Sequence, residues 1–381
     1  MIEKSYLGYY GKLGIIPVRQ NIENLALHSA RRRSLYRLLG LQARDFRNAS
    51  VLEFGPGTGD NAIYVASCGL ERYVLVDGNP ASVEAISDKI QQGVLPSDRV
   101  ECHQRSILGY QDERRFQVVL CEGVIPMQAN PEAFLTHVAS FVAPEGFLVI
   151  TTVSPAGILA EVCRRVLKTV IGRRFTAEGE LLKELVRFFE PDLLSLPGMS
   201  RLPEDWVLDN ILHPWAERFT FTMPEAIGTL TPDFDVHGSS PRFMQDWRWY
   251  KSVPEDGKSW NEVALDEYDR WAGYMLDYRV RPAMPWRGKA ADLDAACVEA
   301  IRIHHTVWHD NRLDLIPHFV DRLKGIGDMV SQEMPTTARS VTDYLSGLGR
   351  LLNGDDQADF GTFRFWFGRG QQYVSFVRGE K

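Results

Sequence analysis

The residues best suited to chemistry begin with Gly55-Pro56-Gly57-Thr58-Gly59-Asp60, which follow the run Val51-Leu52-Glu53-Phe54. A short buried strand that enters a glycine turn and then a helix presents unpaired backbone N–H groups. Its glycines let the backbone approach a ligand closely, because no Cβ intervenes. The spacing is G-x-G-x-G, whereas dinucleotide sites use G-x-G-x-x-G. Glu53 stands two residues before the first glycine. A carboxylate there repels pyrophosphate and suits an ammonium group. Asp77 closes the next apolar run, Tyr73-Val74-Leu75-Val76, 18 residues after Gly59. An acid near that spacing accepts hydrogen bonds from ribose hydroxyls. The turn and the acid together describe a nucleoside site with no phosphate requirement.

Other groups are candidates for work on a second substrate. Glu122 follows the run Phe116-Gln117-Val118-Val119-Leu120-Cys121, so it should stand where a strand meets the site, as a base or a positioning group. His304-His305-Thr306-Val307-Trp308-His309-Asp310 places His305 and His309 four residues apart, on one face if the segment is helical. These two are candidate bases or donors. A zinc pair would lack the glutamate of H-E-x-x-H, and no metal is expected. His213 and His237 are weaker candidates beside proline or glycine. Arg369, between Gly368 and Gly370, could reach an anionic acceptor. Arg31-Arg32-Arg33 reads as a solvated helix face in a chain that is acidic overall.

These residues need a frame. Residues 20–40 read as a helix with apolar Leu25, Leu35, Leu38 and Leu39. Strands are expected at 51–54, 73–77, 99–103, 116–121 and 146–153, with helices at 60–68, 80–92 and 131–142 between them. Such alternation predicts a parallel sheet covered by helices on both faces, with its ligand beyond the carboxyl ends of the strands. Beyond Pro155 the sequence reads mainly as helix. All nine tryptophans lie after residue 200. A core strand is expected near 234–250, at Phe234-Asp235-Val236, the alternating Trp247, Trp249 and Tyr250 could form another with one buried face, and a last strand over 363–378 returns to the sheet. The expected division is residues 1–40 as an amino-terminal segment and helix over the cofactor, 41–155 as the binding core, 156–360 as a Trp-rich helical cap, and 361–381 as the returning strand.

Composition narrows the function. The 381 residues are 44% hydrophobic and 24% charged, near the globular average, so disorder is excluded as the main state. A net charge of −7 argues against nucleic acid as the main partner. Five cysteines with no CxxC pair are no disulfide framework and suggest a cytoplasmic protein. Residues 1–20 contain no apolar h-region, so no signal peptide is expected, and no apolar run is long enough to span a membrane.

Residues Val51 to Asp60 and Val74 to Asp77 resemble motifs I and II of the class I S-adenosylmethionine-dependent methyltransferases. The likeness continues through Phe116 to Glu122, Pro131 to Leu135, and Phe141 to Ile150, in order and at family spacing. It covers about residues 40–155. It implies an α/β, doubly wound, mostly parallel sheet of Rossmann-like type, with a large helical cap in the carboxyl-terminal half. It also implies S-adenosyl-L-methionine as cofactor. Glu53, Gly55, Gly57 and Gly59 would border the methionine part, Asp77 the ribose, and Gly78 and Asn79 the adenine edge. Ser106 stands where many members have an acid toward the adenine, and Ile107 would pack on the ring. Cys121 and Glu122 would border the sulfonium and the acceptor. Tyr9 and Tyr10 belong to an amino-terminal segment of the kind that folds over the cofactor.

The leading expectation is O- or N-methylation of a small-molecule or glycan acceptor, a secondary metabolite or a surface sugar. A second reading keeps the cofactor and attacks another of its carbons, as in aminopropyl or aminocarboxypropyl transfer or cyclisation, releasing methylthioadenosine. A third is a non-catalytic cofactor-binding subunit. The sequence leaves the oligomeric state open.

Overall fold

The computed structural model of the chain describes residue 16 and residues 19–215, 219–253, 255–288 and 290–380. They divide between two compact units, the first drawn from Met1–Val153, Arg218–Tyr268 and Gln371–Lys381, the second from Ser154–Glu217 and Asp269–Gly370.

The first unit is built on one sheet of seven strands. These are β1 (Ser50–Phe54), β2 (Arg72–Asp77), β3 (Val100–Gln104), β4 (Phe116–Cys121), β5 (Val142–Thr152), β6 (Phe234–Ser240) and β7 (Gln372–Arg378). Their order across the sheet is β3-β2-β1-β4-β5-β7-β6. The first five run parallel, and β7 lies antiparallel between β5 and β6. The inner strands are apolar almost throughout because both faces are covered. Helices α1 (Leu25–Leu38), α2 (Ala62–Ser67), α3 (Pro80–Gln91) and α4 (Pro131–Ala139) belong to this unit. Proline opens α3 and α4, where it forfeits no helical hydrogen bond, and Asn79 and Asn130 cap them. The chain passes from β1 to β2 on one side and β4 pairs on the other. That reversal of order makes a crevice beyond the strand ends.

The second unit is mainly helical. It contains α5 (Leu159–Gly172) and α6 (Glu178–Leu194) and, after α7 (Met223–Leu230) and α8 (Trp260–Trp271), the helices α9 (Ala290–His309), α10 (Ile316–Val330) and α11 (Pro335–Leu352). Its interior includes a charged knot. Arg164, wholly buried, reaches Asp192 at 3.1 Å and the carbonyl of Trp366 at 2.9 Å, and lies over the ring of Phe367. No helix among the described residues is long and apolar enough to cross a membrane.

Three local expectations are corrected. The first concerns α1, expected over residues 20–40 and found over Leu25–Leu38, where His28, Arg32 and Tyr36 are buried and Leu25 and Leu38 exposed. The second concerns Trp247, Trp249 and Tyr250, which form no strand and are 86%, 63% and 68% exposed. Arg248 between them binds Asp246, Asp256 and the carbonyl of Lys258, and this knot bends the chain so that the aromatics project from it. The third concerns the last strand, which starts only at Gln372. Residues Gly361–Phe365 coil into a short turn, and Trp366 is buried with its indole N–H on the carbonyl of Leu276 at 2.8 Å. A ladder position would not satisfy that buried donor.

Candidate active site

The glycine turn leaves the sheet between β1 and α2. Gly55 and Gly57 take φ values of +69° and +57°, which side chains resist. A Cβ on Gly55 would also lie 2.5 Å from Val124 Cγ2, just past β4. The turn is braced from below. Thr58 donates its hydroxyl to Asp60 at 2.7 Å, and Lys89 of α3 pairs with the same carboxylate at 3.1 Å. His28 of α1 bonds through Nε2 to the carbonyl of Asp60 at 3.1 Å. Burial lowers the pKa of His28, which suits a neutral ring donating that proton.

Two acids stand at the strand ends as expected. Asp77 is buried, and its carboxylate accepts the N–H groups of Gly57 at 3.2 Å and Asn79 at 2.8 Å. Burial raises its pKa, and these N–H bonds act against the shift. Glu53 is buried too and accepts the hydroxyl of Tyr73, the second residue of β2. Burial first, and then the nearby Glu122, push Glu53 up to about 7.

Glu122 is not a lone carboxylate at a strand end. Its Oε1 accepts Arg32 Nη2 at 2.7 Å and the hydroxyl of Tyr36 at 3.2 Å, both from α1. Arg32 also donates to that hydroxyl at 2.7 Å. Arg32 therefore does not belong to a solvated basic face. It is 7% exposed, and the basic run places one of its three arginines inward. Glu122 Oε2 and Arg32 Nε are buried and meet no hydrogen-bond partner among the described residues.

The structure thus gathers Glu53, Gly55, Gly57, Gly59, Asp77, Gly78, Asn79, Cys121 and Glu122 at the carboxyl ends of β1, β2 and β4. The Cys121 thiol is fully buried and its pKa is pushed far up, so it is an inert wall. The loop after β3 starts alongside, with the N–H of Arg105 on the carbonyl of Asp77 at 3.0 Å. Ser106 is exposed and caps the next turn through the N–H of Gly109, while Ile107 is half-buried. Tyr9 and Tyr10 lie outside the described residues.

His305 and His309 belong to the second unit, on α9, with ring centroids 4.2 Å apart. His309 Nε2 lies 3.4 Å from the carbonyl of Trp215. Their neighbour His304 is buried edge-on against Trp215 and Trp308, and burial drives its pKa well down. His213 is buried and lowered to about 4, chiefly by burial. Arg369 does not offer itself to an acceptor, because its guanidinium is spent on carbonyls of residues 274–280, including Tyr278 at 3.1 Å and Val280 at 2.9 Å. Among the described residues no group of three or more His, Cys, Asp or Glu could hold a metal.

Arg32, Tyr36 and Tyr73 are the site residues that sequence reasoning missed. The signal was present in His28, Arg32 and Tyr36, a polar stripe at four-residue spacing that competes with the leucines for the inward face.

Residues 27–190 match the family model described as a methyltransferase domain. With the sheet order above, this stretch has the Rossmann-like fold of class I methyltransferases. No curated protein matches the sequence. Among solved structures the chain is similar to the N-methyltransferase NodS from Bradyrhizobium japonicum WM9, in complex with S-adenosyl-L-homocysteine. The identity is 16% over 39% of this chain and 74% of that one, with a TM-score of 0.32. Magnesium protoporphyrin IX methyltransferase from Synechocystis PCC 6803 gives the same four values. DhpI in its SAH complex gives 24% identity over 40% and 69%, with a TM-score of 0.29.

The cofactor of this class is S-adenosylmethionine, whose amino-acid end carries an ammonium and a carboxylate. The residues present fit it. Among the described residues the strand ends hold a buried carboxylate oxygen and a buried guanidinium N–H without partners, and a turn whose first glycine leaves no room for a side chain.

Proposed function

We propose that this chain transfers the methyl group of S-adenosylmethionine to the oxygen or nitrogen of a small-molecule or glycan acceptor. The observation that carries this reading is the closure of the glycine turn on Asp77, with Glu53 buried beside it. The family match over residues 27–190 supports it. Asp77 takes the ribose hydroxyls, and Gly78 and Asn79 border the adenine, with Ile107 and Ser106 on its far side. Gly55, Gly57 and Gly59 line the methionine part, and Glu53 faces its ammonium. Cys121 supplies an unreactive wall.

When bound, S-adenosylmethionine supplies a sulfonium methyl whose displacement leaves a neutral thioether. The protein's task is therefore alignment and exclusion of water. Glu122 keeps Oε2 for the acceptor, positioning its hydroxyl or amine or taking its proton, while Arg32 and Tyr36 hold Oε1. His305 and His309 are the candidates of the second unit for an acceptor proton. The acidic balance of the chain, −7, supports an acceptor other than nucleic acid.

The test is incubation with methyl-deuterated S-adenosylmethionine and a soluble cell extract, read by mass spectrometry. Adenosylhomocysteine together with a deuterated product supports the reading and names the acceptor. Methylthioadenosine instead replaces methyl transfer by attack at another carbon. Neither by-product favours a non-catalytic binding subunit.

A further inference from the structure

One guanidinium serves two buried carboxylates beside the glycine turn. Glu53 is the last residue but one of β1 and Glu122 follows β4, on neighbouring strands in which Phe54 pairs with Cys121. Both are shielded from water, Glu53 at 4% exposure and the Glu122 side chain at 8%. Arg32 gives its charge to Glu122, whereas Glu53 has a neutral partner, the hydroxyl of Tyr73.

The other groups that face Glu53 bring no further positive charge. From β2 come Tyr73 and Asp77. From β4 come Glu122 and the Cys121 thiol, which burial keeps protonated. From α1 come Arg32 and the hydroxyl of Tyr36, whose pKa burial pushes well up. Tyr373 of β7, which faces Glu122 and Arg32, is raised to about 12 by burial and stays neutral. With both glutamates ionised, the pair and Arg32 together hold an uncompensated negative charge out of water, which burial disfavours. A proton on one carboxyl removes it. Arg32, a cation, and Tyr36 both donate to Glu122, whereas Glu53 meets the neutral hydroxyl of Tyr73, which leaves Glu53 as the proton's place.

We propose that Glu53 is protonated in the ligand-free protein and gives up that proton when the amino-acid ammonium of the cofactor enters, so that binding and loss of one proton to solvent are a single event. The O–H bond of Glu53 breaks and its proton passes to solvent. The ammonium keeps its own protons and donates to the carboxylate so formed. Arg32 is a positioning residue here. Acting through Glu122, it decides which of the two acids carries the proton. The rise of Glu53 to about 7, from burial and from Glu122, agrees with this. The inference rests on the cofactor reading above and adds to it a proton that the cofactor itself does not carry.

Calorimetry of the full chain with S-adenosylmethionine and with S-adenosylhomocysteine, in buffers of different ionisation enthalpy, counts the proton. At roughly pH 6 about one proton should leave per ligand, falling toward zero well above the value for Glu53. Below that value affinity should rise up to about tenfold per pH unit. Both ligands should release it, because both carry the ammonium. Release with S-adenosylmethionine alone would assign the effect to the sulfonium and overturn the proposal. Glu53→Gln should bind without release. Glu122→Gln should also abolish release, because Arg32 is then free to neutralise Glu53. Release that survives Glu53→Gln overturns the role of Glu53, and release that survives Glu122→Gln overturns that of Arg32. Binding without any buffer dependence sinks the proton coupling and leaves the cofactor site standing, whereas no binding at all sinks both. Thermal melts of the two variants show that they are folded.

Discussion

Asp77 Oδ2 accepts the backbone N–H of Gly57 at 3.2 Å, which ties the acid at the end of β2 to the middle of the turn that follows β1. The other oxygen accepts the N–H of Asn79 at 2.8 Å, where Asn79 caps α3. One side chain thus fixes two loops. Asp77→Ala should weaken S-adenosylmethionine binding by about 1.5–3 kcal/mol, the range for losing hydrogen bonds to a charged group. Calorimetric affinity unchanged from the parent would remove Asp77 from the site.

Glu122 has two oxygens in different service, one held by α1 and one without a partner among the described residues. Glu122→Gln should therefore lower kcat more than it changes the Kd for cofactor. Single-turnover rates and equilibrium binding on the same preparation separate the two. An unaltered rate would leave Glu122 as nothing more than the anchor of α1.

That anchor has its own energetics. Arg32 is buried, with its guanidinium on Glu122 at 2.7 Å and over the ring of Tyr36 at 4.9 Å. Arg32→Met removes the cation and leaves Glu122 buried without it. Breaking a buried pair from one side costs about 3–5 kcal/mol. Urea unfolding should show a loss of that order. The double variant Arg32→Met, Glu122→Gln should recover part of it, because no unpaired charge then remains. A double variant no more stable than the single one would mean that the pair is not what α1 depends on.

The frame of this site was legible because it depends on local patterns. Runs such as Val74-Leu75-Val76 have few other uses, and the order of Glu53, the glycines and Asp77 encodes a strand, a turn and a second strand. What escaped was partner choice. Nothing local says that Arg32 rather than Arg31 or Arg33 turns inward. That is settled by Glu122, 90 residues away in sequence, and by Tyr36 beside it. Leu25 and Leu38 of α1 are apolar yet exposed, while Arg32 is buried. Arg369 looked available because it lies between glycines, yet the carbonyls that consume it belong to an irregular segment whose path no periodicity announces.

The tryptophans divide in a way that composition hides. Trp366 is fully buried and hydrogen-bonded to the carbonyl of Leu276, whereas Trp247 is 86% exposed. Trp366→Ala should cost about 3–5 kcal/mol. Trp247→Ser should stay within about 0.5 kcal/mol of the parent. Chemical denaturation of both variants checks the pair, and comparable losses would place Trp247 in a packed environment.

The raised Glu53 carries a consequence for stability without any ligand. Its folded value, about 7, lies above the unfolded value of 4.5, and burial is the first cause. A group raised in this way favours the folded state below its unfolded value, where it is protonated in both states. The advantage is lost as pH rises through the folded value, because the folded chain must then bury a charge or hold a proton that the unfolded chain has released. The window therefore runs from 4.5 to about 7, and the loss across it is about 3 kcal/mol by linkage. An amide at this position cannot ionise. The stability of Glu53→Gln relative to the parent should therefore grow with pH by about that amount over this window and level off above it. Urea midpoints of the two proteins at matched pH and ionic strength measure the difference directly. A difference that stays flat with pH would mean that the folded chain holds Glu53 no more protonated than the unfolded chain does.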